Sequence, residues 1–307
     1  MNILLLGCGN MGGAMLRTWL PLVAENWREV WILRISEQSR AKLEATEEYA
    51  SVAERFHFVS SFAELRLWAE QRQLHFSLIV LGMKPQVIQE EMHNCLAFDR
   101  NSLWLTMAAG LPLSWYRERK ADLRIVRIMP NLGAQVGGSA SLLYLEPDLE
   151  LSQGEEELVV QLAHSIGPFV RCDSEARLDN ATPVTGSGPA YFYLLTELLQ
   201  LELEKQGFDA EAACRLAEAT FLGAATCLAD ARRQARENRS AIAPGAGTDS
   251  VGGPCDLAAQ MRRAVTSKAG VTEAALSVLT PKLQSSFALA VKRGIERNRE
   301  LQNLQNN

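Results

Sequence analysis

The stretch at residues 7–12, GCGNMG, restricts most strongly what this chain can fold into. A short apolar run at residues 2–6 precedes it, and an apolar spacing typical of a helix follows it. In a strand–turn–helix unit with G-x-G-x-x-G spacing, the first glycine permits the tight turn and the second lets the backbone approach a pyrophosphate. The third lets the helix pack on the strand. The motif therefore predicts a Rossmann-type α/β domain that binds a dinucleotide through Gly7, Gly9, Asn10, Met11 and Gly12.

The second predicted strand, residues 30–35, ends where a dinucleotide-binding fold selects its cofactor. An acid at that place binds the ribose 2′-OH of NAD, whereas basic and hydroxyl groups accommodate the 2′-phosphate of NADP. Arg34 and Ser36 stand at this strand end and Arg40 follows, and their donors match a phosphate. We therefore expect NADPH as the cofactor. Glu37 keeps NADH open, and a solvated strand end is the other interpretation of Arg34.

Three further strands are predicted to end at the same edge of a parallel sheet, where such sheets bind ligands. Residues 76–82 form a continuous apolar run typical of a strand covered on both faces, and the other two are predicted at 102–107 and 123–129. For Lys84, which follows the first of these strands, a solvated side chain is the alternative to a cofactor contact. The strand ends supply the remaining predicted cofactor contacts: Lys84, Pro85, Ala108, Ala109 and Asn131.

The stretch at residues 182–192, TPVTGSGPAYF, marks a change in the pattern of the chain. Proline is best tolerated in the first turn of a helix, so Gly188-Pro189 predicts a helix that runs to about residue 206. Its leucines occupy more than one face, which favours burial between partners. We expect no strand beyond it, and predict a dinucleotide-binding domain at 1–174, a helical domain at 175–307 and a hinge at 186–189. A plain tight turn is the alternative to the hinge.

Composition and charge restrict the class of protein. A chain of 307 residues with 47% apolar and 22% charged residues can form two ordinary globular domains. Its net charge of −5 gives no basic field, so we expect no nucleic-acid partner. The six cysteines form no C-x-x-C pair and no ligand-like cluster with the four histidines, which predicts neither a metal site nor a disulfide framework. We see no leader and no apolar run near the ~18 residues that span a bilayer, so we expect a soluble, cytoplasmic protein without a membrane partner.

Four stretches of the chain resemble the pyrroline-5-carboxylate reductases, which make proline by reducing a cyclic imine with NADPH. They are GCGNMG at 7–12, MKPQ at 83–86, VRIMPN at 126–131 and GSGPAY at 186–191, the last preceded by Asp179, Ala181 or Thr182, and Thr185. A fifth, weaker match is VTSKAGVT at 265–272, where the family has V-T-S-P-G-G-x-T. The matches follow one another in the family's order over nearly the whole chain, which is far more specific than any one of them.

The resemblance implies an N-terminal dinucleotide-binding domain followed by an all-helical dimerisation domain that forms a homodimer or higher homo-oligomer. It implies an enzyme of proline biosynthesis that reduces the C=N bond of 1-pyrroline-5-carboxylate, a small imino acid. The residues themselves predict a helix N-terminus at 270–272 whose backbone N–H groups suit a carboxylate. In the family this loop holds the substrate carboxylate and its last threonine lies beside the imine nitrogen. This assigns catalytic roles to Thr272 and Ser267, and substrate binding to Ser187, Gly188, Gly270 and Val271. Capping of the following helix is the alternative role of Thr272.

The chain also departs from the family's pattern, which keeps other functions open. Leu132-Gly133 replaces the common Thr-Pro, Lys268-Ala269 replaces Pro-Gly, Arg263 stands where an acid is usual, and residues 241–255 look inserted. Reduction of a related cyclic imine and a non-catalytic NADPH-binding scaffold or sensor are the alternatives. A hydroxyacid dehydrogenase would have a lysine six residues after Gly186, but Phe192 stands there.

Overall fold

The computed structural model describes residues 1–240 and 256–305, so the stretch at 241–255 lies outside the described residues. The chain divides into two compact units. The first joins residues 1–189 with the C-terminal segment from Val291, and the second extends from Ala190 to Ala290. The domain boundary expected between residues 174 and 175 stays a prediction.

The first unit is built on one eight-stranded sheet with the strand order β3-β2-β1-β4-β5-β6-β7-β8. Only β6 and β7 pair antiparallel; all other neighbours are parallel. The strands are β1 Asn2–Cys8, β2 Glu29–Ile35, β3 Phe56–Val59, β4 Leu78–Leu81, β5 Leu103–Thr106, β6 Ile125–Met129, β7 Ser141–Tyr144 and β8 Phe169–Arg171. The order from β3 to β6 is that of a Rossmann-type sheet, which confirms the predicted fold class.

Both faces of the sheet are covered by apolar layers, which explains the continuous apolar runs of its central strands. Successive side chains of a strand point to opposite faces. Ile3 and Leu5 accordingly join one core cluster, and Leu4 and Leu6 join the other. All four are buried.

In the described residues, nine helices and two 3-10 segments lie between the strands of this unit or directly after β8. Pro21 predicts that the first helix ends or kinks about three turns in, and α1 does stop at Thr18, with the proline in the first turn of α2. The helices are α1 Asn10–Thr18, α2 Leu20–Asn26, α3 Glu37–Glu44, α4 Glu47–Ala50, α5 Phe62–Gln71, α6 Pro85–Leu96, α7 Leu113–Arg117, α8 Gln153–Ser165 and α9 Glu175–Thr185; the 3-10 segments are Ala53–Arg55 and Leu132–Val136.

After β8 the described residues contain helices only, as expected. They are α10 Gly188–Lys205, α11 Ala210–Ser240, α12 Leu257–Ala264 and α13 Val271–Gln305. The helical pattern of the sequence and Pro281 predict separate helices at 273–279 and 281–301, and this is wrong, because Pro281 lies inside the continuous α13. An interior proline costs about 3 kcal/mol, which does not by itself end a helix that has intact turns on both sides.

Candidate functional site

The carboxyl ends of β1, β2, β4, β5 and β6 meet at one edge of the first unit's sheet, because these strands are parallel neighbours. All the predicted cofactor residues follow these strand ends or stand on them. The structure therefore brings together at one edge residues that lie as far apart in the sequence as Gly7 and Asn131. Ligands of open α/β sheets bind at this edge.

Two glycines at this edge, Gly7 and Gly82, are required by the packing of the protein itself, and Gly12 is tightly packed there. Gly7 has φ +87°, and a Cβ added there would lie 2.4 Å from Cγ of Met83. A Cβ on Gly82 would lie 2.2 Å from the carbonyl oxygen of Gly7, and one on Gly12 would lie 3.3 Å from the same oxygen. The turn thus packs β1, α1 and the end of β4 at backbone contact.

Gly9 differs, because a Cβ added there would meet no atom within 4 Å. It is the N-cap residue of α1, its φ of −81° is open to any residue, and it supplies no side-chain cap. The first turn of α1, which begins with Asn10 and Met11, contains no acid. The backbone N–H groups of a helix start and the positive end of its dipole are therefore free to bind an anion. This arrangement fits the pyrophosphate of a dinucleotide.

Arg34 and Ser36 lie at the end of β2, as predicted, and both have protein partners. Arg34 is a non-glycine residue with φ +60°. Its Nη2 lies 3.5 Å from Oε1 of Glu91, and its guanidinium carbon lies 5.7 Å from the centre of the Phe62 ring. The Ser36 hydroxyl accepts a hydrogen bond from the backbone N–H of Ser39 at 3.2 Å and so caps α3. About half of the Arg34 side chain is exposed, so its pairing with Glu91 can be exchanged for a phosphate.

The ends of β4 and β5 provide one free cation and one small apolar surface. Lys84 precedes Pro85 at the start of α6, is exposed, and has no ion-pair or hydrogen-bond partner among the described residues. Ala108 is buried, and its N–H donates to Oγ1 of Thr106 at 3.3 Å. That hydroxyl also lies 2.9 Å from the Tyr116 hydroxyl. The hydroxyl groups of Thr106 and Tyr116 thus hold the Ala108-Ala109 turn in place.

Two further titratable groups near this edge stay protonated. Burial raises the pKa of the Cys8 thiol to about 12, against the opposing effect of the Arg17 charge. Burial likewise raises the pKa of the Tyr116 phenol, and its hydrogen bond with Thr106 opposes this. Neither group is an ionised nucleophile at neutral pH. Among the described residues, no group of three His, Cys, Asp or Glu side chains could hold a metal ion.

Asn131, at the end of β6, is fully engaged within the protein. Its Nδ2 donates to the carbonyl oxygen of Thr185 at 2.9 Å, and its Oδ1 accepts from the N–H of Gly133 at 2.9 Å. Its own N–H donates to the hydroxyl of Ser139 at 2.9 Å. The side chain is buried and ties the end of β6 to the end of α9. A cofactor contact by Asn131 stays a prediction.

Sequence reasoning missed a buried ionic network beside this strand. The Arg127 side chain, on β6, is fully buried and donates to Glu175 at 2.6 Å and to Asp179 at 2.8 Å. Gln302 donates to the second carboxylate oxygen of Asp179 at 2.8 Å, and Asn298 donates to its carbonyl oxygen at 3.3 Å. The network joins β6, α9 and the end of α13. An arginine inside an apolar strand was the signal that could have found it.

The predicted substrate residues are divided between the two units. Ser187 and Gly188 belong to the first unit, where the serine is exposed between α9 and the start of α10. A Cβ added to Gly188 would meet nothing within 4 Å. The other four, Ser267, Gly270, Val271 and Thr272, belong to the second unit.

In the second unit, the loop before α13 presents a helix N-terminus. The N–H of Gly270 donates to the carbonyl oxygen of Ser267 at 3.0 Å, and the N–H of Ala269 donates to Oε2 of Glu273 at 2.6 Å. α13 begins at Val271, whose side chain is 89% exposed. Thr272 is its second residue, and its hydroxyl has no hydrogen-bond partner among the described residues. The N–H groups of the first turn suit a carboxylate.

Comparison with known proteins gives consistent findings. Residues 175–301 match the family model described as pyrroline-5-carboxylate reductase dimerisation. The chain is 32% identical over 243 residues to the pyrroline-5-carboxylate reductase of Pseudomonas aeruginosa, covering 78% of this chain and 77% of the relative. Against the one from Vibrio alginolyticus it is 29% identical over 230 residues, 74% and 76% of the two chains.

Solved structures agree in fold. The pyrroline-5-carboxylate reductase of Coxiella burnetii is 25% identical, with a TM-score of 0.71 and 98% of both chains covered. A pyrroline carboxylate reductase of Plasmodium falciparum, solved with NADP bound, is 20% identical with a TM-score of 0.72 over 98% of both chains.

Proposed function

The chain belongs to the pyrroline-5-carboxylate reductase family, and we propose that it reduces 1-pyrroline-5-carboxylate to proline with NADPH. One observation in the structure carries the cofactor half of this proposal. Gly9 leaves open space in front of a bare helix N-terminus, at the edge of the sheet where dinucleotides bind. The bound dinucleotide supplies the hydride, and the chain supplies binding, orientation and electrostatics.

Different residues of the cofactor site bind different parts of the dinucleotide. Gly9 and the first N–H groups of α1 hold the pyrophosphate. Arg34 exchanges Glu91 for the 2′-phosphate, which favours NADPH over NADH. Lys84 and the small Ala108-Ala109 turn orient the nicotinamide end. The Plasmodium relative is a fold neighbour with NADP bound, which supports this choice.

The substrate residues act at the start of α13. Gly270 and Val271 bind the carboxylate of the imino acid through their N–H groups, that of Gly270 exchanging the carbonyl oxygen of Ser267 for the carboxylate, and Ser267 adds a hydroxyl. Substrate binding by Ser187 and Gly188, which belong to the first unit, stays a prediction. Protonation of the ring nitrogen makes the imine carbon more electrophilic, and the free Thr272 hydroxyl hydrogen-bonds that nitrogen. The imine carbon gains the hydride and the nitrogen keeps the proton, so the product is the cyclic amine.

We also propose that the protein is a cytoplasmic homodimer or a multiple of it. No residue of α10 is buried, and several of its apolar side chains are about half exposed: Phe192, Tyr193, Leu194, Leu198 and Leu199. By length and composition the segment Ala210–Glu237 of α11 could also cross a membrane, and 11% of its most apolar window is buried, so most of this window is uncovered in the single chain. A second subunit would cover both helices without a bilayer, since obligate interfaces resemble a domain core cut in half.

Sedimentation tests the assembly without assuming the activity. The pure protein at micromolar concentration, free of detergent, should sediment as a dimer or larger, and should stay in the supernatant when mixed with lipid vesicles. A well-folded monomer would contradict the proposed interface. Pelleting with the vesicles would favour the membrane interpretation of α11.

The activity is tested by NADPH oxidation with 1-pyrroline-5-carboxylate, combined with the variant Gly9→Ala. Because a Cβ at Gly9 has room within the protein, we expect Tm to fall by only ~2–4 °C, the cost of about 1 kcal/mol for alanine at an N-cap. NADPH should bind at least tenfold more weakly, because the methyl group occupies the place of the phosphate. Gly82→Ala is the matched control and should lower Tm far more, since its Cβ would lie 2.2 Å from a backbone oxygen.

The outcomes separate the alternatives. A wild-type protein that binds NADPH and reduces only six-membered cyclic imino acids is a reductase of a related imine. One that binds NADPH and reduces no cyclic imine is a scaffold or sensor. Equal NADPH affinity in wild type and Gly9→Ala would contradict the proposed phosphate position.

A further inference from the structure

A small polar pocket lies in the first unit beside the glycine turn, and Asn10 is the one residue among the predicted cofactor contacts that also lines it. Its volume is about 80 Å³, and it is formed by α1, α3 and the 3-10 segment Leu132–Val136. The two helices touch nearby, since a Cβ added to Gly13 would lie 2.9 Å from Cβ of Ser39. The lining residues are Asn10, Arg17, Gln38, Ser39, Lys42 and Gln135.

The pocket holds two cations that form no ion pair with any of the described residues. Neither Arg17 nor Lys42 has an ion-pair or hydrogen-bond partner in the described part of the chain, and no acid stands among the six lining residues. Arg40, on the same helix as Lys42, shows the contrast, because its Nε lies 2.7 Å from Glu44. Two like charges in one small polar pocket repel each other, and a bound anion removes that repulsion.

The rest of the lining suits an oxyanion. The side-chain amides of Asn10, Gln38 and Gln135 provide neutral donors beside the two cations. A single water needs about 10–15 Å³ of such space, so 80 Å³ admits a tetrahedral oxyanion and excludes a whole nucleotide. The amide and guanidinium donors match phosphate oxygens in geometry.

The pocket is also fixed to the dinucleotide turn. The buried Ser39 hydroxyl donates to the carbonyl oxygen of Gly9 at 3.1 Å and accepts from the Ser36 hydroxyl at 2.9 Å. Asn10 belongs both to the pocket lining and to the first turn of α1. The Arg17 charge reaches the turn as well, because it opposes the rise in the pKa of Cys8 that burial causes.

We propose that Arg17 and Lys42, with the three amides, bind one phosphate group in this pocket. The group has two possible sources: the 2′-phosphate of the dinucleotide in the adjacent turn, and a free phosphate ion. The first source rests on the proposed function and would make these two residues, instead of Arg34, the determinants of the preference for NADPH. The second does not depend on any reductase activity.

The double variant Arg17→Ala/Lys42→Ala tests the proposal by calorimetric titration, with no turnover required. The control is Arg28→Ala/Lys292→Ala, which removes one arginine and one lysine at exposed positions of the same unit. A third variant, Arg17→Lys/Lys42→Arg, keeps both charges. Equal Tm values of the three variants and the wild type show that the fold is intact. The probes are 2′,5′-ADP, 5′-AMP and inorganic phosphate at one low ionic strength, because salt screens such contacts.

If the 2′-phosphate is the source, 2′,5′-ADP should bind at least tenfold more weakly to the alanine pair than to the control, with 5′-AMP unchanged. If a free ion is the source, binding of inorganic phosphate should be lost in the alanine pair while 2′,5′-ADP keeps its affinity. The charge-keeping variant should retain either binding. Equal affinities of the alanine pair and the control for both phosphate probes would overturn the proposal. Failure of the reductase function would show separately, as wild-type protein that does not reduce the imine.

Discussion

Replacing Arg127 by methionine tests what holds the cofactor edge to the end of the chain. The side chain is fully buried, with Glu175 at 2.6 Å and Asp179 at 2.8 Å. Methionine has similar length and leaves both carboxylates without their cation. Removing one partner of a buried ion pair costs ~3–5 kcal/mol. The low end applies here, because the Nε of Arg127 has no partner among the described residues and Glu175 can take up a proton.

The expected loss is therefore about 3 kcal/mol at pH 8, or a fall in Tm of roughly 6–12 °C at ~2–4 °C per kcal/mol. The loss should depend on pH. Burial raises the pKa of Glu175 even in the wild type, against the pull of Arg127. A pKa above the unfolded value means that stability is full below the unfolded value and falls as pH rises through the folded value. Without Arg127 the pKa of Glu175 rises further. The difference in the free energy of unfolding between variant and wild type should therefore be largest at pH 8 and should become smaller toward pH 5.

Unfolding in urea at both pH values measures the gap. Arg171→Met is the matched control on the same sheet. Its pair with Glu156, at 3.1 Å, is more than half exposed on both sides, so it should cost at most ~1 kcal/mol. Adding Glu175→Gln to Arg127→Met should restore part of the loss at pH 8, because one uncompensated charge disappears. The reasoning fails if Arg127→Met costs no more than Arg171→Met, or if the gap widens as pH falls.

Two further variants address cofactor choice and turnover. Arg34→Ala should raise KM for NADPH much more than KM for NADH, and equal changes would show that Arg34 does not contact the 2′-phosphate. Arg34→Gly should be more stable than Arg34→Ala by about 1 kcal/mol, because glycine relieves the strain of the φ of +60°. Thr272→Ala should lower turnover and leave NADPH affinity nearly unchanged, with Ser277→Ala of the same helix as control; weaker NADPH binding would refute a role confined to substrate. Lys268→Pro restores the family's residue, and loss of activity would show that the lysine has acquired a role.

The local patterns of the chain predicted most of the fold. Glycine spacing and apolar runs located five strands, β1, β2, β4, β5 and β6, and the break at Pro21, because these features act within one turn or one strand. The strand β7 was missed, since four residues that pair antiparallel with β6 carry too little pattern to be distinguished from a loop. The break expected at Pro281 was wrong for the opposite reason, because a local signal was outweighed by the rest of a long helix.

The sequence predicted where the residues of the candidate site lie better than it predicted which interactions they make. Arg34 and Ser36 stand at the strand end where the sequence placed them. The pairing of Arg34 with Glu91 could not be foreseen, because it joins residues 57 positions apart. The same limit hid the network of Arg127, whose partner Asp179 was noted only as part of a family pattern. Sequence spacing identifies which residues share an edge of the sheet, but it does not identify which of them are already neutralised there.

The glycines of the turn show why a motif needs the structure before it becomes evidence for a ligand. Gly7 would be required in an empty protein, because its φ is positive and the backbone of Met83 leaves no room for a side chain, and Gly12 packs tightly against the carbonyl oxygen of Gly7. Gly9 has room, an unstrained backbone and the N-cap position, where serine, asparagine or aspartate would stabilise the helix better by occupying its free N–H groups. A glycine there gives up that stabilisation and keeps those N–H groups open. Folding accounts for the other two glycines, so Gly9 alone among the three points to an anion bound at α1.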